Sequence, residues 1–256
     1  MNAVAQSLDL PTDSVTGFRR AVAEDLRLLA LMHDREMDRG LLSALRRECI
    51  SDLLGLRLEV TRSRQAIALL GAGLDDIPAA PSVETLDRLA AEYADIYLTG
   101  AYRASPCESV WLDEDGLTMQ EPMFQVRDWY RRHGLRVADW RARTDDHLVT
   151  QLQFLAHLLE AGSDSGVIGE AAQFLDEHLL RWIGAFAERV AARAETRLYA
   201  GLAMLTAAYL DELRDLLSRI LDTPRPTAEE IEERMRPKVS VAVPLPTHGL
   251  GTGPTW

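Results

Sequence analysis

The sequence has 256 residues, 47% of them hydrophobic and 27% charged, which provides enough apolar material for a large buried core and excludes a disordered chain. Asp and Glu total 40 against 28 Lys and Arg, and this formal net charge of -12 disfavours nucleic acid as a partner while suiting a basic peptide. The two cysteines, Cys49 and Cys107, form no CxxC pair and therefore indicate neither a zinc site nor a disulfide scaffold.

Neither the start of the sequence nor its apolar runs indicate a membrane protein. The opening residues, MNAVAQSLDLPTDS, lack a basic stretch followed by an apolar one, so they do not resemble a secretory signal. The longest apolar run, Leu198 to Leu210, is shorter than the roughly 20 residues that span a bilayer. Together with two unpaired thiols, these features predict a cytoplasmic protein that does not insert into a membrane.

Helical periodicity dominates the first hundred residues. Apolar side chains at three- and four-residue spacing predict helices over residues 18–32 and 41–56, and a third helix around Ile67 that stops at Gly71–Gly73. A proline-containing connector follows, and Ser82 is the predicted N-cap of a helix that runs to about Thr99. The next segment, Gly100 to Gly116, has no helical period, and loops of that length inside domains are often functional.

The second half of the chain is also helical by its periodicity. The predicted helices cover residues 122–134, 144–162, 170–192, 195–221 and 228–235. Pro122 is tolerated in a first helical turn, and Gly134 is a plausible glycine just beyond a helix end. The segment Lys238 to Val243 is the one short stretch with strand-like alternation, next to a Pro/Gly-rich end.

These elements predict an all-α, single-domain helical bundle with a long inter-helix loop. The predicted organisation is a flexible N-terminus over residues 1–17, a helical domain over residues 18–222, and a short helix with a largely disordered Pro/Gly tail over residues 223–256.

Sequence motifs of common enzymes are missing. There is no HExxH or Glu-x-x-His pair for a helix-borne metal, no phosphate-binding loop and no Gly-x-Ser-x-Gly nucleophile elbow. Cys107 has no adjacent base, which argues against a nucleophile. We therefore expect no enzyme, no metal and no cofactor, with a helical-bundle enzyme or cofactor carrier as the less favoured alternative.

Three segments carry a distinctive combination of aromatic, acidic and proline residues. The first places Tyr93 and Tyr97 at a helix end before the loop Ser105-Pro-Cys-Glu-Ser-Val-Trp111. The second is the helix that begins Glu121-Pro-Met and continues through Val-Arg-x2-Tyr130-x3-Gly. The third is the helix start Asp145-Asp-His-Leu148. Their order and spacing resemble the TorD/DmsD/NarJ-like redox-enzyme maturation chaperones, over roughly residues 18–221.

The resemblance implies a fold of the TorD/DmsD type and a binding function. Such a chaperone binds the signal peptide and apoprotein of a molybdoenzyme catalytic subunit, assists cofactor insertion and prevents premature export through the twin-arginine (Tat) route. A chaperone of a molybdoenzyme that is not exported is the alternative. The resemblance leaves monomer and dimer both open, and no phosphate-cradling motif in this sequence supports nucleotide binding.

A twin-arginine signal peptide presents two guanidinium groups followed by an apolar stretch, so its receptor needs carboxylates and an aromatic-lined groove. The residues expected to bind the peptide are Tyr93, Tyr97, Pro106, Glu108, Ser109, Trp111, Tyr130, Asp145, Asp146 and His147. Structural roles compete with this interpretation. Asp145 and Asp146 also suit a helix N-terminus, His147 suits a hydrogen-bonded core position, and Trp111 and Tyr130 suit ordinary core positions.

Overall fold

The longest helix of the described chain, Arg197–Leu221, is rich in Leu and Ala, and 15 of its 25 residues are buried. Thr196 caps its start by accepting a hydrogen bond from the backbone N–H of Tyr199. From Leu198 to Leu210 every residue except Met204 is buried, whereas beyond Leu210 the helix has a polar face. A segment that is buried around its circumference needs neighbours on all sides, so this part of the helix lies at the centre of the bundle.

The computed structural model describes residues 12–161 and 166–236. The described residues contain no strand, and the all-α prediction is confirmed. The helices are α1 (Thr12–Asp34), α2 (Arg39–Leu45), α3 (Ile50–Leu53), α4 (Thr61–Asp75), α5 (Val83–Tyr97), α6 (Ser109–Leu112), α7 (Glu121–Arg132), α8 (Leu148–Ala161), α9 (Gly166–Phe174), α10 (Leu180–Arg193), α11 (Arg197–Leu221) and α12 (Ala228–Met235), with a π-helical turn (Leu175–Leu179) between α9 and α10. Across the described part of the chain, no helix is both long and apolar enough to cross a membrane.

Residues up to Pro226 form one compact unit, and α12 belongs to a separate one. Within the first unit, α11 packs against α4 and α10, and α1 packs against α8. Asp25 of α1 links the α3–α4 connection to α11. Its carboxylate accepts hydrogen bonds from the backbone N–H groups of Gly55 (2.6 Å) and Leu56 (2.9 Å) in that connection. It also accepts one from the hydroxyl of Tyr209 on α11 (2.9 Å). Burial raises the pKa of Asp25.

Two glycines allow α4 and α11 to touch backbone to backbone. A Cβ atom placed on Gly73 would lie 2.3 Å from the backbone nitrogen of Leu198, and one placed on Gly201 would lie 2.5 Å from the Cα atom of Leu70. The predicted helix stop at Gly71–Gly73 is therefore wrong, since α4 continues to Asp75. Glycine is unfavourable within an isolated helix, but here the close crossing requires it.

The predicted helix over residues 41–56 is broken into α2 and α3. The break lies beside Arg46, whose guanidinium donates hydrogen bonds to the carbonyl oxygens of Leu74 (2.9 Å), Ile77 (2.6 Å) and Pro78 (3.1 Å) at the end of α4. A cation that satisfies the free carbonyls of a helix end is a common C-terminal cap. No local sequence pattern predicts this long-range contact.

The predicted start of the first helix differs from the structure, whereas the predicted bounds of the last helix agree with it. Helix α1 begins at Thr12, so residues 12–17 of the segment expected to be flexible are helical. Helix α12 has the predicted bounds and a capping box in which the side chains of Thr227 and Glu230 bond each other's backbone N–H groups. The predicted tail and the strand-like stretch at Lys238–Val243 lie outside the described residues.

The glycine crossing gives a stability prediction with a matched control in the same helix. Gly73→Ala should lower the free energy of unfolding by about 3 kcal/mol, because the methyl group must displace backbone atoms of α11. Gly71→Ala should raise it by about 0.5–1 kcal/mol, since no atom lies within 4 Å of the added methyl group and alanine favours the helix. Urea unfolding followed by circular dichroism measures both, and equal effects of the two substitutions would contradict the packing argument.

Candidate functional site

The loop before α6 and the segment before α8 pair as a short antiparallel bridge between Cys107 and His147. The backbone N–H of Glu108 donates to the carbonyl of Asp146 (3.1 Å), and the N–H of Leu148 donates to the carbonyl of Pro106 (2.7 Å). Two of the sequence motifs, 40 residues apart in the chain, are therefore brought together by main-chain hydrogen bonds.

The side chains of Asp145 and Asp146 bond to different neighbours, on α7 and α6 respectively. Asp146 is fully buried, and its Oδ2 accepts a hydrogen bond from the backbone N–H of Ser109 (2.8 Å), the first residue of α6. Asp145 accepts two hydrogen bonds from the guanidinium of Arg127 at 3.1 and 2.8 Å, and its carbonyl accepts one from the hydroxyl of Tyr130 (2.8 Å). Both aspartates thus have a structural role in the described conformation.

Glu108 is the third predicted carboxylate, and it is also fully buried. Its Oε1 lies 3.0 Å from Nδ1 of His178, and its Oε2 accepts a hydrogen bond from the side-chain amide of Gln151 (2.7 Å). The same amide also donates to the carbonyl of Asp146 (3.0 Å). Glu108 therefore links the α6 loop to α8 and to the π-helical turn.

The π-helical turn explains how His178 reaches Glu108. Three consecutive polar residues, Asp176, Glu177 and His178, are all buried there, although the sequence predicts one continuous helix over residues 170–192. Asp176 forms a two-pronged ion pair with the buried guanidinium of Arg214 at 2.8 and 2.7 Å. π-Helical turns are rare and often lie at functional sites. Periodicity alone did not reveal this turn; three adjacent polar residues within an apolar helix were the available signal.

Tyr93 and Tyr97 lie on α5 and contribute to an aromatic cluster. Their rings stack at 4.7 Å, and Tyr97 packs at 6.3 Å from Phe186, which also meets Trp111 at 6.5 Å. The hydroxyl of Tyr93 donates to the carbonyl of Asp34 (2.8 Å). Both tyrosines are more than 90% buried, so in this conformation they fill the core.

The ring of His33 joins this cluster, and its proton can be assigned by donor counting. Nε2 lies 2.8 Å from the hydroxyl oxygen of Thr206, whose own proton goes to the carbonyl of Leu202 (2.9 Å). Thr206 must then accept from His33, which leaves Nδ1 to accept from the hydroxyl of Tyr97 (2.6 Å). Burial lowers the pKa of His33 to about 3, in agreement with this neutral form.

The side chains of Cys107 and His147, the two residues of the bridge, do not form a reactive pair. Burial, together with the charge of Arg143, lowers the pKa of His147 to about 3, and its Nδ1 accepts a hydrogen bond from the backbone N–H of Val149 (3.2 Å). Burial and the nearby Asp146 raise the pKa of the Cys107 thiol to about 11, so it is protonated at neutral pH. Among the residues that the structure describes, no group of His, Cys, Asp and Glu side chains is arranged to hold a metal ion.

An open groove of about 620 Å³ lies next to this site, between α8 and the irregular segment before the bridge. Its apolar lining comes from Tyr130, Leu135, Val137, Ala138, Ala142 and Phe154. Its polar lining comes from Arg136, Asp139, Arg143, Thr150, Gln153 and His157. Tyr130 joins the groove to the bridge through its hydrogen bond to Asp145. Of the ten predicted site residues, Tyr130 is the one that lines the groove.

Residues 60–188 of the chain, half of its length, match the protein family described as the nitrate reductase delta subunit. The chain belongs to this family. The matched segment runs from the residue before α4 into α10 and includes the bridge, the groove and the π-helical turn. The resemblance drawn from the three sequence motifs is thereby confirmed.

Several curated relatives in this family carry the name Chaperone protein TorD. The one from Vibrio cholerae is 32% identical over 141 residues, which cover 52% of this chain and 64% of that protein. The one from Vibrio vulnificus is 30% identical over 129 residues, 47% of this chain and 60% of that protein. The one from a Psychrobacter species is 27% identical over 157 residues, 59% of this chain and 71% of that protein. The chain thus matches less than two thirds of the length of the two Vibrio relatives.

The bridge gives a prediction about local order. Asp146→Ala should lower the free energy of unfolding by about 1–3 kcal/mol, because the buried N–H of Ser109 loses its acceptor. Amide hydrogen exchange at residues 107–111 should also become faster. Asp113→Ala, at the other end of α6, is the control, since its backbone partners Asp115 and Leu117 can bond to water instead. Slow exchange at Ser109 in the Asp146 variant would contradict the assignment.

The buried histidines predict a loss of stability in mild acid. A histidine that stays neutral when folded but is protonated when unfolded favours the unfolded chain once the pH falls below about 6.5. Between pH 6.5 and 5, His33 and His147 should each lower the free energy of unfolding by up to about 1.4 kcal/mol per pH unit. Urea unfolding at several pH values measures this slope.

The variant His33→Gln tests the source of that slope. It should make the slope shallower, because the amide cannot be protonated in this range. An unchanged slope in His33→Gln would show that His33 does not cause the acid sensitivity.

Proposed function

We propose that this protein is a cytoplasmic chaperone for a molybdoenzyme catalytic subunit, whose signal peptide and apoprotein it binds during cofactor insertion, preventing premature export. The observation that carries the proposal is the apolar groove beside the two bridged motifs, within the segment shared with the nitrate reductase delta subunit family. The name Chaperone protein TorD among its relatives supports binding, and not catalysis, as the activity.

The apolar stretch of the signal peptide would lie in the groove. Leu135 and Ala138 on its rim are exposed, while Phe154 and Tyr130 form a buried aromatic floor. Because Phe154 and Tyr130 are only 4% and 2% exposed, the surface that an apolar segment covers is mostly that of the rim. Its burial gains roughly 25 cal/mol for each Å² of apolar surface removed from water.

The paired arginines of the signal peptide need carboxylates, and those near the groove already have partners. The side chain of Asp145 is 4% exposed and bound by Arg127, and Asp34 is bound by Arg143 at 2.5 Å. A client guanidinium would have to replace Arg127 or Arg143, which conserves the number of charge-assisted hydrogen bonds. Asp139 lies on the groove lining and is exposed, so it is the carboxylate that a client arginine reaches without such an exchange.

The same observations favour a second candidate, a chaperone whose molybdoenzyme client is not exported. The carboxylates of Glu108 and Asp146 are fully buried, and the groove carries Arg136 and Arg143 against the single carboxylate of Asp139. This charge balance suits an apolar N-terminal peptide that lacks the two arginines.

Peptide titration separates the two candidates. The probe is a labelled synthetic peptide with two adjacent arginines followed by about 12 apolar residues. Replacing both arginines by lysines should weaken binding at least about tenfold, because lysine cannot make the two-pronged guanidinium–carboxylate contact. Fluorescence anisotropy measures the affinity. Equal affinity of the two peptides would favour the client that is not exported.

A groove variant tests both candidates together. Val137→Asp places a charge in the apolar lining and should weaken binding of either peptide at least about tenfold. Val83→Asp is the matched control, since Val83 is 70% exposed on α5 and does not line the groove. Unchanged binding by Val137→Asp would remove the groove from the proposal.

A further inference from the structure

A second surface, on the segment of residues 124–143, has a charge opposite in sign to that of the whole chain. Residues 124–143 contain six arginines and two aspartates, a net charge of +4, whereas the whole chain carries -12. The remainder of the chain therefore carries -16. Fields of opposite sign on one small protein steer partners of opposite charge to different places.

Aromatic rings are exposed within this basic segment. Phe124 is 46% exposed and Trp140 is 39% exposed, and they are the exposed aromatic residues of the described chain. Large apolar side chains at the surface have a cost in water, so a pair of them beside cations is typical of a protein–protein contact.

Arg127 holds the two rings in place. Its guanidinium carbon lies 5.3 Å from the ring centroid of Phe124 and 5.3 Å from that of Trp140. The same guanidinium is fixed by its two hydrogen bonds to Asp145. The two rings and the cation are thus set in position before any partner arrives, which lowers the entropy cost of binding.

Arg141 supplies the free positive charge of this surface. It is exposed, its guanidinium carbon lies 5.3 Å from the ring centroid of Trp140, and within the described residues it has no carboxylate partner. Of the two aspartates of the segment, Asp128 pairs with Arg131 (2.9 Å), and Asp139 forms no ion pair with Arg141. No carboxylate of the segment therefore pairs with Arg141.

We infer that the arginine–aromatic surface, formed by Phe124, Arg127, Trp140 and Arg141, docks an acidic segment of a partner protein that also presents an apolar side chain. The apolar side chain packs on the exposed rings, and the acidic side chains pair with Arg141. An isolated phosphate would gain from the charge alone and would leave the two rings exposed. This surface is distinct from the apolar groove, because none of its four residues lines that groove.

The test uses the full-length chain and a labelled peptide of about 12 residues in which Glu and Asp alternate with Leu and Phe, a length that suits an extended or helical recognition segment. Fluorescence anisotropy should show binding that weakens as salt is raised. Trp140→Ala and Arg141→Glu should each weaken it at least about fivefold. Arg88→Glu, a charge reversal at an exposed arginine on α5, is the matched control and should bind as the unmodified chain does.

Several outcomes would overturn the inference. Equal binding by the unmodified chain, Trp140→Ala and Arg141→Glu would show that the surface is not involved, and an equal loss in Arg88→Glu would show a general charge effect. Self-association in sedimentation velocity that Arg141→Glu abolishes would assign the surface to a second copy of this chain. Binding to phosphatidylglycerol vesicles that depends on Trp140 and is as tight as peptide binding would assign it to lipid.

The outcome is independent of the proposed function. The twin-arginine peptide should bind Trp140→Ala as it binds the unmodified chain, because Trp140 is uncharged and does not line the groove. Failure of the signal-peptide titration with a positive acidic-peptide result would overturn the proposed function and leave this inference standing. Circular dichroism verifies that each variant is folded.

Discussion

The burial of the Glu108 carboxyl group is the constraint on which the site depends. A carboxyl group without hydrogen-bond partners in a protein interior costs several kcal/mol, so the surrounding chain must supply them. The partners come from Gln151 on α8 and His178 on the π-helical turn. The side chain of Glu108 therefore links the α6 loop, α8 and the π-helical turn, in addition to the main-chain bridge between the first two.

The π-helical turn is the local adjustment that this arrangement requires. Successive residues of an α-helix point about 100° apart, so three adjacent polar residues cannot share one buried face. Within the turn, Asp176 bonds Arg214 of α11, Glu177 accepts from Gln173 (2.8 Å), and His178 reaches Glu108. Each polar residue thus finds a different partner, and the bundle gains links between α6, α9 and α11.

The internal pairing of the acidic residues determines which surfaces are left for a ligand. Asp145 and Asp146 hold the segment before α8 in place and are nearly inaccessible. That segment then presents two different faces, an apolar groove against α8 and a surface of arginines and aromatic rings. Because the two faces differ in charge and polarity, they suit ligands of different chemistry.

Much of the fold and part of the site could be predicted from the sequence, because the relevant signals are local. Helical periodicity and the Ser82 cap act within a few residues, and the helices predicted from them at Val83 and Ala228 begin where they were expected. The acidic charge balance and the three motif segments with their family resemblance are likewise properties of the sequence. The tertiary structure decided the rest, because burial depends on residues far away in the chain. It made Gly73 a contact point with α11 instead of a helix end, and it gave Glu108 and Asp146 internal partners instead of exposure to solvent.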